Sequence, residues 1–456
     1  MEKRCVVLGG GISGLSTAWR CVEKGIKVSV FEINDYIGGL SASIRSDGHM
    51  MDFGPHSLFS EDEAILQRII DLFDGDVPKG KRDVRLYMHG EYLQYPLKAE
   101  DIFMKLGIFL SLKCFFSYMK QNLRKRPSFG PDGPNLEQWS ILNFGKALHE
   151  LFFKPYSEQF WDVPCSALSP DCIPTSKQIN FFKTLKLLFT PRSKRMDISI
   201  VDREMLPCYY PQNGFGSIGE KIAERITRAG GEIATGFEVK AVRTFGDGRF
   251  VVEAQTRDGR RAVRDADAVI STIPIPALVG AIDPSPPESV VRASQSIQYL
   301  SLLILYVVVD NRPLLDSMYE YSLEKPYNRI TDVNRFTLAP MNQKKENMLA
   351  IEKSCHYGDS WWNMPDDVFL KNMMPHLEAE GLLRSSEVKR IHLLKAPQAY
   401  PMYLYNYQEP LNVFKNYIQT IPNIRVCGRT GSFQYMDIDQ CIKQGFQTVE
   451  SIFPDR

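Results

Sequence analysis

Three glycines and one carboxylate near the N-terminus have the spacing of a dinucleotide-binding site. The turn at residues 9–14 (GGGISG) lies between a short apolar run and a helical pattern. Gly9 permits the tight turn, Gly11 lets the backbone approach a pyrophosphate, and Gly14 lets helix and strand pack closely. Glu32 follows about 20 residues later, where a carboxylate can accept a hydrogen bond from a ribose hydroxyl. We therefore predict that the chain binds an adenine dinucleotide.

The elements around this turn predict a parallel nucleotide-binding sheet. Residues 4–8 and 27–31 are apolar runs typical of buried parallel strands, with a helix between them. We expect Ile12 and Ser13, at the start of that helix, to contact the phosphates, because its N–H groups attract anions. Later segments predict that the same domain resumes, with a helix at 218–229, strands at 238–244, 250–256, 268–272 and 424–427, and a final helix at 440–453. Another helix is predicted at 140–153.

The composition is that of a globular protein large enough for two or more lobes. The 456 residues are 24% charged and 44% hydrophobic, and the formal net charge is +1. A nearly neutral chain has no electrostatic basis for nucleic-acid binding, and we expect none. Nine scattered cysteines and seven histidines form no metal-ligand pattern, so we predict reduced thiols and no metal. Because a core strand begins at residue 4, we expect no signal peptide and a cytoplasmic protein.

One apolar segment permits two interpretations. Residues 102–119 are rich in Ile, Phe, Leu and Met but are interrupted by Lys105 and Lys113, and four of the seven residues at 120–126 are basic. The segment is too interrupted to span a bilayer. Residues 102–126 can instead lie on a membrane surface, with the basic residues against anionic lipid. We favour a helix buried in the substrate-binding lobe with a solvated basic end, because charged helix ends are common.

Three further segments resemble the flavin motifs of one enzyme superfamily. Residues 36–43 (YIGGLSAS) resemble the second glycine motif of the FAD-dependent amine oxidase, protoporphyrinogen oxidase and UDP-galactopyranose mutase group. Residues 52–56 (DFGPH) resemble the loop against the isoalloxazine ring, and residues 428–440 resemble the C-terminal flavin motif. The resemblance implies non-covalent FAD, with NAD(P)H as a candidate reductant. The additional FAD contacts that it implies are Gly38, Gly39, Leu40, Ser41, Gly54, Pro55, His56, Val239, Gly428, Arg429, Asp437 and Ile438.

Within this superfamily the chain is most similar to the mutase branch. Residues 153–161 resemble the helix end that lines the mutase substrate pocket, and residues 328–331 resemble a segment that supplies a pocket arginine. The residues matching Arg429 and Tyr435 contact substrate phosphates in that branch, and an arginine offers the bidentate donors that phosphate recognition requires. The substrate-binding and catalytic residues that the resemblance implies are His56, Tyr156, Trp161, Arg329, Tyr400 and Tyr435.

Two departures from the mutase pattern concern the substrate. The mutases carry one arginine in each of the stretches matching 173–176 and 299–301, and this chain has none there, although Lys177 is adjacent to the first. The second histidine of the mutase flavin loop corresponds to Phe59. The loss of two phosphate-clamping arginines weakens the case for the same UDP-sugar and the same redox-neutral chemistry.

Simpler structural roles stay open for the same side chains. Arg329 can pair with Asp332 or Glu324 at the surface, which is a weak interaction. His56 can be a structural histidine. Core packing accounts equally for Tyr156, Trp161, Tyr299 and Tyr400.

The resemblance and the element order together predict an α/β fold. We expect a two-lobed protein with a glutathione-reductase-type FAD-binding Rossmann domain and an inserted α+β substrate-binding lobe. The predicted FAD-binding domain comprises residues 1–80, 205–275 and 396–456, and the predicted substrate-binding lobe comprises residues 81–204 and 276–395.

Two reaction classes fit these residues. In the first, an FAD-dependent oxidoreductase takes a hydride from a polar small-molecule substrate, of glycan or nucleotide-sugar type, onto flavin N5. In the second, a UDP-galactopyranose-mutase-like isomerase uses reduced FAD as a nucleophile on a nucleotide sugar, which requires a firm grip on the diphosphate. The missing arginines favour the oxidoreductase. A flavoprotein without catalysis would have a blocked pocket, which nothing in the sequence indicates.

Overall fold

The apolar runs near the N-terminus form the centre of a five-stranded parallel sheet. Across this sheet the strands are β20 (Ile424–Val426), β13 (Ala268–Ser271), β1 (Arg4–Leu8), β2 (Lys27–Phe31) and β9 (Glu232–Ala234). The computed structural model describes residues 3–95, 104–105, 107–123, 128–129, 133–173, 206–338 and 345–455. Both faces of the sheet are covered, which explains why its central strands are almost wholly apolar.

Helices cover one face of the parallel sheet and surround the second lobe. The α-helices of the described residues are α1 (Ile12–Glu23), α2 (Glu63–Ile70), α3 (Ile108–Asn122), α4 (Leu136–Phe144), α5 (Lys146–Leu148), α6 (Lys154–Trp161), α7 (Ser217–Arg228), α8 (Ile275–Ala281), α9 (Glu288–Gln295), α10 (Val333–Phe336), α11 (Asp366–Ala379), α12 (Gln408–Gln419), α13 (Gly428–Gly431) and α14 (Ile438–Ile452). Helices α1, α7 and α14 pack on one face of the parallel sheet and share one apolar core with it.

A four-stranded sheet covers the opposite face. Its strands are, in order, β12 (Arg261–Ala266), β11 (Phe250–Gln255), β10 (Glu238–Thr244) and β14 (Ile282–Asp283). The strands predicted at 238–244, 250–256 and 268–272 are confirmed to within one residue. Strand β12 is not predicted, because four of its six residues are charged or face outward, which leaves little apolar pattern.

A seven-stranded sheet forms the core of the second lobe. Its strands are, in order, β19 (Arg390–Pro401), β15 (Tyr299–Asp310), β18 (Glu346–Cys355), β17 (Arg329–Asp332), β16 (Tyr319–Ser322), β6 (Val84–Met88) and β7 (Glu91–Gln94). Two further sheets have two strands each. They are the hairpin of β3 (Ser43–Ser46) with β4 (His49–Asp52) and the pair of β5 (Lys79–Gly80) with β8 (Cys208–Tyr209). The predicted two-lobed α/β fold class is confirmed. The predicted domain boundary at 395/396 falls inside β19.

The single helix predicted at 140–153 is wrong. Helix α4 ends at Phe144, and the chain continues through α5, a π-helical stretch at His149–Phe153 and then α6. Gly145 causes the break, because its φ of +82° is not helical and a Cβ there would lie 2.7 Å from the backbone nitrogen of Tyr118 on α3. The interruption therefore lets two helices approach closely, which the apolar spacing of one segment cannot reveal.

We predict that the apolar segment at 102–126 is a helix buried in the substrate-binding lobe. This prediction is wrong for the outer face of α3. Only Cys114 and Tyr118 of this helix are buried, and several large apolar side chains face outward. Part of the segment, including Arg124, Lys125 and Arg126, lies outside the described residues. In the described part of the chain, no helix is both long enough and apolar enough to cross a membrane.

The parallel strands end side by side at one edge of their sheet. In the strand register Leu8 pairs with both Phe31 and Ser271, and Ser271 pairs with Val426. The segments that follow these residues include the glycine turn, Glu32 and the C-terminal motif. The carboxyl ends of the strands therefore bring together motifs from opposite ends of the chain.

Gly14→Ala should destabilise the protein strongly. A Cβ at Gly14 would lie 1.9 Å from the carbonyl oxygen of Gly9, so the strand, turn and helix must separate. We expect a loss of roughly 3 kcal/mol or more in the free energy of unfolding, measured by urea titration. Gly280→Ala is the matched control, because Gly280 lies on α8 and a Cβ there meets nothing within 4 Å. That control should gain up to about 1 kcal/mol; equal stabilities of the two variants would contradict the packing argument.

Candidate active site

A cavity of about 540 Å³ lies where the parallel strands end against the second lobe. Most of the predicted residues line it: Gly9, Gly11, Ile12, Ser13, Glu32, Gly38, Gly39, Leu40, Ser41, Pro55, His56, Arg329, Tyr400, Gly428, Arg429, Tyr435, Asp437 and Ile438. The structure thus brings the dinucleotide turn, the second glycine motif, the flavin loop and the C-terminal motif into one site. Residues of the seven-stranded sheet complete the wall on the other side.

The start of α1 provides an anion-binding cradle. Gly11 is its N-cap, no side chain caps the helix, and its first turn contains no acidic residue. Gly11 also forms an isolated β-bridge with Gly38, and a Cβ at Gly39 would lie 3.1 Å from the Cα of Gly11. The amides at the start of α1 are therefore open to a pyrophosphate, and the two glycine motifs are in close backbone contact.

Glu32 is tied to the glycine turn as well as to the cavity. Its buried carboxylate accepts a hydrogen bond from the amide of Gly10 at 2.6 Å, and from the amide and side chain of Asn34 at 2.9 and 2.7 Å. These bonds fix the carboxylate at the end of β2. Its expected bond to a ribose hydroxyl stays a prediction.

His56 presents an uncharged imidazole to the cavity. Its ring stacks on Phe215 at 5.3 Å between centroids, and its buried Nδ1 has no hydrogen-bond partner among the described residues. Burial, and then the positive charges of Arg429 and Arg329, lower the pKa of His56 to about 3. A buried polar atom without a partner in a cavity lined by dinucleotide motifs fits a bound cofactor or substrate that supplies the missing bond.

Arg429 is a buried cation at the C-terminal motif. Its guanidinium donates to the carbonyl oxygen of Met436 at 2.6 and 3.2 Å and lies over the rings of Tyr435 and Tyr400 at 4.8 and 5.8 Å. No ion pair joins it to a carboxylate within the described ranges. Its charge is therefore available to a bound anion.

Arg329 is already neutralised. Its guanidinium makes a bidentate pair with Glu352 at 2.7 and 2.6 Å, and the Glu352 side chain is only 3% exposed. The predicted alternative, a surface pair with Asp332 or Glu324, is wrong: Asp332 instead accepts hydrogen bonds from the amides of Leu314 and neighbouring residues. Arg329 lines the cavity as half of a neutral pair and does not add net positive charge.

Two further cations that the motifs do not predict, Arg82 and Lys395, lie in the same wall. Arg82 lies over the ring of Phe59 at 3.8 Å, and its Nε has no hydrogen-bond partner in the described part of the chain. Lys395, in the middle of β19, also lines the cavity and donates to the carbonyl oxygen of Trp362 at 2.6 Å. Neither residue belongs to a recognisable motif, so only the fold could bring them here.

Five predicted residues stand outside the cavity wall as the described residues define it. Gly14 and Gly54 lie directly behind it, against Gly9 and Arg329 respectively. The other three pack elsewhere: Val239 on the four-stranded sheet, Tyr156 against Phe152, and Trp161 in the core with Phe160. Phe160 in turn packs on Tyr400 at 5.1 Å, so α6 supports the cavity from behind.

Of the two stretches without mutase-type arginines, the structure describes the one at 299–301 and only the first residue of the one at 173–176. Residues 174–177 lie outside the described residues. At the start of β15, the hydroxyl of Tyr299 donates to the carbonyl oxygen of Thr430 at 2.7 Å, and Ser301 donates to Pro397 at 2.7 Å. Tyr299 therefore ties the second lobe to the C-terminal motif.

Asp52 is a buried acid behind the flavin loop. Its carboxylate accepts hydrogen bonds from Ser43 Oγ at 2.5 Å and from the hydroxyl of Tyr210 at 2.7 Å. Burial raises the pKa of Asp52 to about 6, although these two hydrogen bonds act in the opposite direction. Asp52 and His56 thus have pKa values shifted in opposite senses.

The free energy of unfolding should respond to pH in opposite ways through these two groups. The pKa of His56 falls from 6.5 to about 3 on folding, so its contribution is present above pH 6.5 and is lost as the pH falls towards 3. The pKa of Asp52 rises from 3.8 to about 6, so its contribution is present below pH 3.8 and is lost as the pH rises to 6. Each slope reaches at most about 1.4 kcal/mol per pH unit.

Urea titrations over this pH range should separate the two contributions. In the Asp52→Asn variant, the free energy of unfolding should rise more steeply with pH than in the parent protein, because the opposing contribution of Asp52 is removed. In His56→Gln, it should rise less or fall. The same slope in the parent and both variants would show that neither pKa is shifted on folding.

Known proteins resemble this chain along its whole length. The family model described as flavin containing amine oxidoreductase matches residues 12–452. A crystal structure of reduced UDP-galactopyranose mutase superposes with a TM-score of 0.80 at 19% identity, covering 99% of this chain and 94% of that one. A proposed protoporphyrinogen oxidase from Exiguobacterium sp. superposes with a TM-score of 0.74 at 17% identity, covering 99% of each chain.

Sequence relatives match over shorter segments. The coproporphyrinogen III oxidase of Propionibacterium freudenreichii is 38% identical over 94 residues, which is 20% of this chain and 18% of that protein. The alignments thus span less than half of the length of such curated relatives. The predicted resemblance is confirmed, and the family implies FAD as the cofactor. The extent of the family match shows that this chain belongs to the flavin-containing amine oxidoreductases.

Proposed function

We propose that this protein is an FAD-dependent oxidoreductase that takes a hydride from a polar substrate with an anionic group, of glycan or nucleotide-sugar type. The observation that carries the proposal is the buried pair of Arg329 and Glu352. This pair removes the positive charge that a mutase-type grip on a diphosphate needs at that position. Arg82, Lys395 and Arg429 keep their charge in the same cavity and suit a substrate with an anionic group.

The residues that would hold FAD are those of the glycine motifs. The α1 cradle suits the pyrophosphate, Glu32 suits the ribose, and the residues at 54–56 and 428–438 suit the flavin end. When bound, FAD supplies the hydride acceptor at N5. Helix α14 begins in the cavity wall with Asp437 as its N-cap, so Arg429 supplies the positive charge at this side of the cavity.

His56 and Tyr400 orient the substrate and do not act as bases. With a pKa of about 3, His56 is neutral and too weak a base to remove a proton at neutral pH, so its role is hydrogen bonding. Burial raises the pKa of Tyr400, which keeps its hydroxyl protonated and able to donate. The substrate's own heteroatom or water then carries the proton that accompanies hydride removal.

A redox-neutral mutase reaction is the second candidate. It is supported by the available charge of Arg429 beside Tyr435, the two positions that contact phosphate in the mutase branch. The fold similarity to reduced UDP-galactopyranose mutase also supports it. The two candidates differ in whether the substrate loses electrons.

Anaerobic mixing of the oxidised protein with single sugars, uronic acids and UDP-sugars should distinguish the two reactions. An oxidoreductase substrate should bleach the visible flavin band in one turnover, because its hydride reduces the flavin, and air should restore the band. Free FAD with the same compounds is the control and should not bleach. A ring-isomerised sugar formed only by pre-reduced protein, with no bleaching of the oxidised form, would establish the mutase reaction instead.

Arg429→Gln should lower the midpoint potential of the bound flavin. Loss of a buried positive charge at the C-terminal motif makes the reduced, negatively charged flavin less stable. We expect a fall of about 30 mV or more, equivalent to about 1.4 kcal/mol for a two-electron couple. The double variant Arg329→Gln with Glu352→Gln is the matched control, because it removes a neutral pair. An equal shift in both proteins would show that net charge at Arg429 is not the cause.

A further inference from the structure

The outer face of α3 concentrates the exposed apolar surface of the protein. Twelve large hydrophobic side chains are exposed among the described residues, and seven of them lie between residues 104 and 123. Phe109 is 87% exposed, Leu123 84% and Phe116 64%. The seven are Met104, Ile108, Phe109, Leu112, Phe116, Met119 and Leu123. Apolar clusters of this kind mark interaction surfaces on soluble domains.

These side chains form one stripe along the helix. Residues 108, 112, 116, 119 and 123 recur at intervals of three and four, so they project within an arc of about 80° at about 100° per residue. Cys114 and Tyr118, the buried residues of α3, face the opposite side and pack towards α4 and α5. The inner face is therefore already used for packing, and the outer face is a second apolar surface.

The charges around the stripe have one sign. Lys113 and Lys120 are exposed and lie along one edge of the stripe, and Lys105 is exposed just before the helix. From residue 102 to residue 131 the sequence contains six lysines and arginines and no aspartate or glutamate. The whole chain has a net charge of only +1, so the rest of the chain is slightly acidic. An apolar stripe with a basic edge and no acid complements a surface that is apolar inside and anionic outside.

We propose that the outer face of α3 docks on an anionic phospholipid membrane, with the helix in the plane of the interface. The exposed Phe, Ile, Leu and Met side chains insert among the acyl chains, and the lysine ammonium groups remain at the headgroup level. A second protein would be expected to meet few lysines at its interface, because lysine is depleted there. This surface is separate from the cavity and does not depend on the reaction proposed for it.

Co-sedimentation of the holoenzyme with vesicles tests this docking. We expect binding to vesicles of phosphatidylcholine with phosphatidylglycerol, and little binding to phosphatidylcholine alone. Lys113→Gln with Lys120→Gln should weaken binding to anionic vesicles about 30-fold, because each cation near an anionic surface contributes about a factor of five. Phe109→Ser with Phe116→Ser should weaken it roughly 100-fold, because two aromatic side chains no longer enter the apolar layer.

Phe245→Ser with Val263→Ser is the matched control. Both of these residues are about half exposed, at 46% and 52%, but they lie at the four-stranded sheet of the other lobe. This variant should bind vesicles like the parent protein. Failure of the parent to bind anionic vesicles would overturn the proposal. So would a concentration-dependent dimer that Phe109→Ser with Phe116→Ser abolishes, because a second copy would then be the occupant of the stripe.

Discussion

The close approach of backbone to backbone at the carboxyl edge of the parallel sheet is the constraint on which the site depends. A Cβ at Gly14 would lie 1.9 Å from the carbonyl oxygen of Gly9, and one at Gly431 would lie 2.9 Å from that of Ser271. The strands β1, β13 and β20 can end together only because such positions carry no side chain. Their ends place the N-terminal and C-terminal motifs against each other, and the second lobe closes over them through contacts such as the bond from Tyr299 to Thr430.

Burial of charge gives the cavity its chemical character. Arg329 and Glu352 cancel each other, and His56 is held neutral. Among the described residues, the charge of Arg429 contacts a carbonyl oxygen and two aromatic rings. In a site of low dielectric these arrangements have a larger effect than they would in water. The wall thus combines one neutralised guanidinium, that of Arg329, with the charged groups of Arg82, Lys395 and Arg429.

The helices of the second lobe contribute to two separate surfaces, the cavity wall and the outside of the lobe. Helix α6 packs behind the cavity through Phe160 and Tyr400, while α3 lies on the outside of the same lobe and exposes its apolar stripe. Gly145 makes this arrangement possible by letting the chain turn tightly against α3 at Tyr118. An apolar pattern on both sides of one helix is compatible with a stable fold only where something covers the second side.

The sequence by itself determined the parts of this protein that depend on neighbouring residues. The glycine turn before α1 and the strands β10 and β11 need only local turn chemistry and strand periodicity, and they were predicted to within a residue. The motif at Gly428 was identified by its resemblance to a known flavin motif. Only the tertiary structure decided the partner of Arg329, the presence of Arg82 in the wall and the exposure of α3. These features depend on contacts between distant segments, because a side chain's charge and burial are set by what the fold packs against it. Periodicity shows that a helix has an apolar face, but it does not show whether protein or solvent lies on that face.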